Sequence, residues 1–447
     1  MQDQSQIISY NKILLPTIFY FASYFMILSL SYQILINEVC LELKEDDCYS
    51  SRVSAYTSNL LIFISLTGSI PALLLSGIYS SIADKYGRKV VIIMPIIGLF
   101  IKILMLLYVN ILHPKYYFFL YLVASLFSGM LGSQINFNMG IFTYTADTTQ
   151  LNISSRSKSY TIVEICMITP KILGYLSSGL LAKYYGYTVP LLLTLVFTII
   201  SFIITYMIPE SLSYINENIE FKFINTYTNL KLLLINSNII IKLLSISYFL
   251  FYFCLIGSNS LDILYFKHKF GWESDFIGYY ETAEGIINGL SMLLISNYGD
   301  LYNKLTLIHW ISIGYFFRIV FWCLFGLANS INLIYTALPF LIFSGSISPY
   351  TRTIISNNIN HCDQAKSFTA FSTLQNLSIL MIPLLNICYT TGININMSGM
   401  VYEIMSSLVF ISFIFVIYIL YIPEFKIIIF KNANRLLEPV IKNDEIA

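Results

Sequence analysis

Long apolar runs alternate with short polar turns along almost the whole chain, and the runs have the length that a helix needs to cross a membrane. A hydrocarbon core of about 30 Å takes roughly 20 helical residues. The pattern predicts twelve such spans, at about 13–36, 58–83, 90–111, 117–146, 160–182, 188–208, 239–266, 275–297, 304–328, 332–357, 367–390 and 400–422. The longest polar interruption, from Pro209 to about Asn238, carries Glu210, Glu217, Glu220, Lys222 and Lys231 and divides the spans six and six. The organisation expected is an N-terminal six-helix bundle over 1–208, a linker over 209–238, a C-terminal six-helix bundle over 239–425 and a tail over 426–447. Alternating the loops puts Lys85, Arg88, Lys89, Arg156, Lys158, Lys222, Lys231, Lys304, Lys366 and the tail on one side. That excess of positive charge marks the side as cytoplasmic, with both termini there.

Composition agrees with the pattern and narrows it. The 447 residues are 57% hydrophobic and 11% charged, roughly half the charge of a soluble domain, and the mean hydropathy is +0.72. An all-α, multi-pass integral membrane protein is expected, with the lipid bilayer as its solvent. A net charge of +1 and the lack of any aromatic-basic patch argue against nucleic acid as a partner. The first apolar run is too long for a signal peptide and has no small-residue cleavage site, so it reads as the first span. Asp3–Ile8 approaches an acidic di-leucine sorting signal but has isoleucine in its first hydrophobic position; it reads as a polar leader, and the plasma membrane is expected in preference to an endolysosomal one.

Cysteine usage is mostly that of a small apolar residue. Cys166, Cys254, Cys323 and Cys388 lie in apolar runs, and Cys362 falls in a cytoplasmic loop. Cys40 and Cys48 differ, because they flank an acidic stretch in the first loop on the outer or lumenal side, where a disulfide between them could survive. Among the Asn-x-Ser/Thr sites, Asn152 is cytoplasmic and Asn376 lies in a span, which leaves Asn396 as the glycosylation acceptor.

The turn after the second span, Gly77 to Lys89, has a chemistry of its own. Gly77 and Gly87 allow close helix approach and a tight turn, Asp84 can meet a helix N-terminus or a basic residue, and Lys85, Arg88 and Lys89 mark the cytoplasmic face. The spacing G-x(6)-D-[KR]-x-G-R-[KR] resembles the loop signature between the second and third helices of the major facilitator superfamily. That resemblance implies a conformational hinge made of Gly77, Asp84, Lys85, Gly87, Arg88 and Lys89, and two bundles that rock about a central site. The turn Asn297 to Lys304 looks like a worn copy in the second half, as an internal repeat requires.

A charge in hydrocarbon costs at least about 2.5–3.5 kcal/mol, so each ionisable residue in a span is a candidate for the transport pathway. In the superfamily, spans one, four, seven and ten line the cavity, spans two, five, eight and eleven flank it, and the others are peripheral. Arg352 in span ten follows Pro349 and offers a guanidinium fork to an anionic substrate; the alternative is a snorkelling anchor. Glu164 in span five can take up and release a proton as the cavity opens to each side, or pair with a basic residue. Lys171 shares its helical face but lies seven residues on, about 10.5 Å of rise, too far for a direct pair. Glu281 and Glu284 in span eight share a face, which fits proton sharing, and Asp262 lies near the outer end of span seven. Lys102, His309 and Arg318 fall on peripheral spans, where structural pairing is expected. Gln134 and Asn138, Tyr20 and Tyr24, and Tyr248 and Tyr252 share faces on spans four, one and seven, as substrate contacts or as interhelical bonds and anchors.

No metal-spaced His/Cys set, phosphate-cradling loop or Ser-His-Asp order is present. The chain is therefore not expected to be an enzyme or to use a metal or cofactor, and an ion gradient or the substrate's own gradient must drive it. Beyond the superfamily, the chain resembles the proton-coupled folate transporter and thymic stromal cotransporter family of solute carriers. The carriers of the likeness are Ile70–Gly77, Tyr144–Asp147, Ile162–Glu164 with Gly174 and Gly179, Asp262–Tyr265, Phe270–Trp272, Ile277–Tyr279, Pro349–Arg352 and Asp363–Phe368. The resemblance implies proton-coupled import of a small organic anion, with Glu164 at the proton-linked position and Arg352 at the substrate-linked arginine. It departs at Gly257, where the family's folate branch has histidine, and at Gly271, where that branch has cysteine, which leaves Cys48 as the partner of Cys40. Other branches handle cyclic dinucleotides, steroid conjugates and peptidoglycan fragments. The competing readings are a facilitator or proton-driven exporter, and a non-transporting receptor or scaffold on the same fold.

Overall fold

The computed structural model describes the chain apart from residues 1, 46, 49, 149–152, 213–223, 236, 299–306, 358–363 and 423–447. Asn152, Lys222, the second-half turn from Gly299 to Lys304, Cys362, the tail over 426–447 and the side chains of Arg156, Lys158 and Lys366 lie outside the described residues. The first half comprises α1 (Gln2–Leu43), α2 (Ser51–Tyr86), α3 (Arg88–Leu112), α4 (Tyr117–Met130), α5 (Ser133–Thr148), α6 (Ile153–Tyr185) and α7 (Thr188–Met207). After α8 (Ile224–Leu234) come α9 (Ile239–Phe270), α10 (Ser274–Tyr298), α11 (Leu307–Gly326), α12 (Ile331–Ala337), α13 (Ile347–Asn357), α14 (Gln364–Leu380), α15 (Ile382–Asn394) and α16 (Met400–Tyr421).

Among the described residues, 11 helical stretches are long and apolar enough to cross a bilayer. The remaining span is α10, 25 residues long, whose apolar surface is interrupted by Glu281 and Glu284. The result is a twelve-helix, all-α membrane fold of two six-helix bundles. Three spans predicted as single helices are broken. In the fourth, Gly132 and Ser133 take positive φ of 103° and 50° between α4 and α5. In the tenth, residues Leu338–Ser346 tighten into a 3₁₀ stretch that opens on Pro339. In the eleventh, α14 stops before Pro383, whose ring removes an N–H from the helical ladder. The interval expected as linker holds α8, because Leu230, Leu233 and Leu234 make an apolar stripe at helical spacing that packs onto the core beside α2 and α14.

The two bundles meet along α6 with α10 and along α2 with α14 and α15. Near the end that carries the first loop, α6 and α10 touch backbone to backbone at Gly179 and Gly278. A Cβ on Gly179 would lie 2.7 Å from the Ser274 carbonyl oxygen and 3.1 Å from Gly278 Cα. At the same end Ser274 donates to Gln33 of α1, Lys183 Nζ lies 2.6 Å from Asp275 Oδ2, and Ser58 donates to the Asn386 carbonyl at 3.3 Å. Cys40 and Cys48 are joined there as a disulfide, with Cα atoms 5.3 Å apart, and Asn396 is exposed with φ 59°. Towards the other end, Ser76 and Thr373 hydroxyls are 3.4 Å apart across α2 and α14.

Substituting Gly179→Val places methyl groups where the α10 backbone now lies, so the bundles must part at the disulfide end. In a Gln33→Cys background this substitution is expected to raise the rate of labelling by an impermeant thiol reagent several-fold; an unchanged rate would show that the Gly179 contact does not hold that end closed.

Candidate functional site

Glu164 of α6 and Arg352 of α13 approach from opposite bundles. Arg352 Nε lies 3.2 Å from Glu164 Oε1, and Ser348, one turn before the arginine, donates to the same oxygen at 3.0 Å. The guanidinium sits 4.0 Å from the Phe142 ring centroid and 4.9 Å from that of Phe371, so aromatic faces supply the rest of its solvation. Both charged side chains are 5% exposed. They line a central cavity of ≈ 180 Å³ with Tyr24, Gln134 and Asn138 on one side and Tyr248 and Tyr252 on the other. That volume is below the roughly 300 Å³ at which small-molecule sites begin, so admitting an organic ligand requires the bundles to part.

A second set of charges lies on the same wall. Lys171 Nζ of α6 is 3.0 Å from Glu284 Oε2 and 3.3 Å from Glu281 Oε2 of α10. Asp262 of α9 accepts a 2.7 Å bond from the Tyr402 hydroxyl, and carboxylate oxygens of Asp262, Glu281 and Glu284 lie within 4.8 Å of one another. The ammonium of Lys171 is therefore the cation that this cluster holds. Arg318 of α11 stacks over Trp322 at 4.3 Å and reaches the cavity beside Glu284.

At the far end from the disulfide, Gly87 has φ 107° and a Cβ there would lie 2.3 Å from Glu210 Oε2. The Glu210 carboxylate accepts from the backbone N–H groups of Arg88 at 2.8 Å and Lys89 at 3.1 Å, which caps the N-terminus of α3. Arg88 bridges Asp84 at 2.5 Å and Asp147 of α5 at 3.0 Å. Lys89 donates to the Tyr206 carbonyl of α7 and lies over its ring at 5.0 Å.

The Major Facilitator Superfamily model matches residues 13–383. The chain belongs to this superfamily. Among curated relatives, the chicken lysosomal proton-coupled steroid conjugate and bile acid symporter SLC46A3 is 26% identical over 355 residues, 75% of this chain and 74% of the relative. The bovine proton-coupled folate transporter is 21% identical over 375 residues, 82% of this chain and 79% of the relative. Among solved structures, the human organic anion transporter MFSD10 (TETRAN) superposes with a TM-score of 0.70 at 13% identity, covering 92% of this chain and 99% of the other. The proton:xylose symporter XylE does so with 0.69 at 14% identity, covering 92% and 95%. These structures establish the fold, and the curated relatives bear out the resemblance to the folate transporter branch.

In this superfamily member, residues that separate roles on paper are brought into contact. Glu164 and Arg352, read as a proton carrier and a substrate anchor, are an ion pair. Lys171 pairs with Glu281 and Glu284 rather than with Glu164, because the two bundles bring α10 against α6. Glu281 sits behind the cavity wall, and Tyr20, 1% exposed, is packed on Phe137 with ring centroids 3.7 Å apart. Arg318, expected as peripheral, lines the central cavity, because α11 packs close enough for its long side chain to reach inward. Asp147 and Glu210 carry the bracing of the charged turn and were not assigned it from sequence; the acid that directly follows the sixth span was the available signal.

Removing one partner of a buried pair leaves the other uncompensated at about 3–5 kcal/mol. Lys171→Met is expected to destabilise the purified protein by about that amount, and adding Glu281→Gln and Glu284→Gln should restore most of it. Thermal unfolding of the two variants beside the wild type checks this; equal stability of single and triple variants would refute the pairing.

Proposed function

We propose that this transporter imports a small organic anion together with protons by alternating access, with Glu164 carrying the proton and Arg352 holding the substrate's anionic group. The observation that carries the reading is the Glu164–Arg352 pair, which spans the two bundles inside the cavity. While Glu164 is ionised it occupies the guanidinium and ties α6 to α13. Protonation cancels that attraction, frees the fork for a carboxylate, sulfate or phosphate, and lets the bundles part. When the proton leaves on the other side, Glu164 competes for Arg352 again and displaces the anion. Because protonation rises as pH falls, uptake rises as the donor side is acidified.

The relatives support the same chemistry: two branches are described as proton-coupled, one carrying steroid conjugates and bile acids, the other folate. The charged turn with Gly77, Asp84, Lys85, Gly87, Arg88 and Lys89 serves as the conformational hinge, Glu281 and Glu284 share in proton handling, and the basic face with both termini is cytoplasmic. The plasma membrane is the proposed host. The chicken relative favours a second location, the lysosomal membrane, where an acidic lumen would drive the same movement towards the cytoplasm.

Uptake of labelled folate, a sulfated steroid and a cyclic dinucleotide into cells expressing the chain, at acidic and neutral external pH, tests the reading. One anion is expected to enter faster at acidic pH. Arg352→Lys, which keeps the charge but loses the fork, should cut that uptake at least about tenfold, a loss of about 1.4 kcal/mol. Glu164→Gln should flatten the pH dependence. Acid-stimulated uptake that survives Arg352→Lys and Glu164→Gln undiminished would overturn the assignment.

A further inference from the structure

A second cavity, of ≈ 190 Å³, adjoins the central one, and the two share Tyr24, Gln134, Ile256 and Asn259. Lys102, in the middle of α3, faces it. No acidic residue lines this cavity, and among the described residues no carboxylate pairs with Lys102. An ammonium at that depth carries a cost of at least about 2.5–3.5 kcal/mol, which an anion in the cavity would offset.

The rest of the wall adds donors, beside two acceptor oxygens, Gln134 Oε1 and Asn386 Oδ1, that also lack a partner among the described residues. The break at Gly132 and Ser133 starts α5 in mid-membrane, and Ser133 and Gln134 line the cavity. The opening N–H groups of a helix have no partners within it and form the positive end of its dipole, and interrupted membrane helices present such ends to anionic groups. From the other bundle, Asn376 of α14 and Asn386 of α15 line the same space. Each is 1% exposed, and the Nδ2 of each lacks a hydrogen-bond partner among the described residues. Leaving a buried donor unpaired costs about 1–3 kcal/mol. A lysine, a helix start and two amide donors converge from both bundles on a space without a carboxylate.

We infer that this cavity is a second anion subsite and that the cargo is an extended dianion, one anionic group at Arg352 and the other at Lys102. The inference rests on the proposal that Arg352 holds an anionic group. Contact with Asn376 and Asn386 across the bundle boundary makes the second group a sensor of cargo length, since a monoanion reaches one pole and leaves the other empty.

The test uses the full-length protein in lipid nanodiscs and a series of α,ω-dicarboxylates from suberate to hexadecanedioate, each beside the monocarboxylate of equal chain length. At one optimal length the dicarboxylate is expected to bind at least about tenfold more tightly than its monocarboxylate. Lys102→Met removes a half-buried charge without a large change of volume, so it should fold, and it should bring that ratio close to one; Lys102→Arg should keep it. Lack of preference at every length in the wild type, failure of every member to bind, or an unchanged ratio in Lys102→Met overturns the second subsite. Arg352→Met in the Lys102→Met background separates the two assignments: monocarboxylate binding that Lys102→Met retains and the double variant also retains undiminished refutes the Arg352 role, while the dicarboxylate ratio in Lys102→Met alone continues to report on Lys102.

Discussion

Charge inside hydrocarbon is costly without an opposite charge in reach, and here much of the compensation comes from the other bundle. Lys171 of α6 is held by Glu281 and Glu284 of α10, and Glu164, two turns earlier on the same helix, is held by Arg352 of α13. One helix therefore carries two charges of opposite sign and binds the second bundle with both. Separating the bundles breaks these pairs, so the free energy of opening depends on which carboxylates carry protons. In the proposed mechanism, that dependence is what links a proton to the conformational change.

The two pairs differ in what surrounds them. Glu281 and Glu284 are crowded by Asp262 and by the Lys171 ammonium, behind and along the wall of the cavity. Glu164 and Arg352 instead line the central cavity beside Tyr248 and Tyr252 of α9, with the Phe142 and Phe371 rings packed on the guanidinium and one hydroxyl, from Ser348, as an added partner. The first set resembles a packed core network and the second an accessible site. Glycine contacts at the disulfide end and helix breaks at mid-membrane complete the mechanics: Gly179 and Gly278 allow backbone contact where the bundles close, and the breaks in spans four, ten and eleven expose backbone beside the cavities.

Much of the fold was legible along the chain. Span number, the division after the sixth span and the charged turn follow from hydropathy and glycine spacing, and even α10 was recognisable by its length despite Glu281 and Glu284. The helix breaks were less visible. Gly132 joins an apolar first half of the span to a second half that opens with Ser133, Gln134, Asn136 and Asn138; the span as a whole still reads as one hydrophobic run, and hydropathy averages over a break that changes only two φ angles. The amphipathic α8 was hidden for the opposite reason, since the polar residues around it outweigh three leucines in any long window.

Candidate residues in the site could be named individually, because an ionisable side chain in an apolar run costs enough to stand out by itself. Their partnerships could not. Lys171 is seven residues from Glu164 and more than a hundred from Glu284, yet it pairs with the distant one, because the bundle interface sets α10 against α6 while helical rise keeps Lys171 from Glu164. Arg318 likewise enters the cavity from a span that topology ranks as peripheral. The sequence by itself determined that the chain must span a bilayer with a few costly charges inside; only the tertiary structure decided which charges neutralise one another, because electrostatic pairing depends on separation in space and helix packing is what sets it.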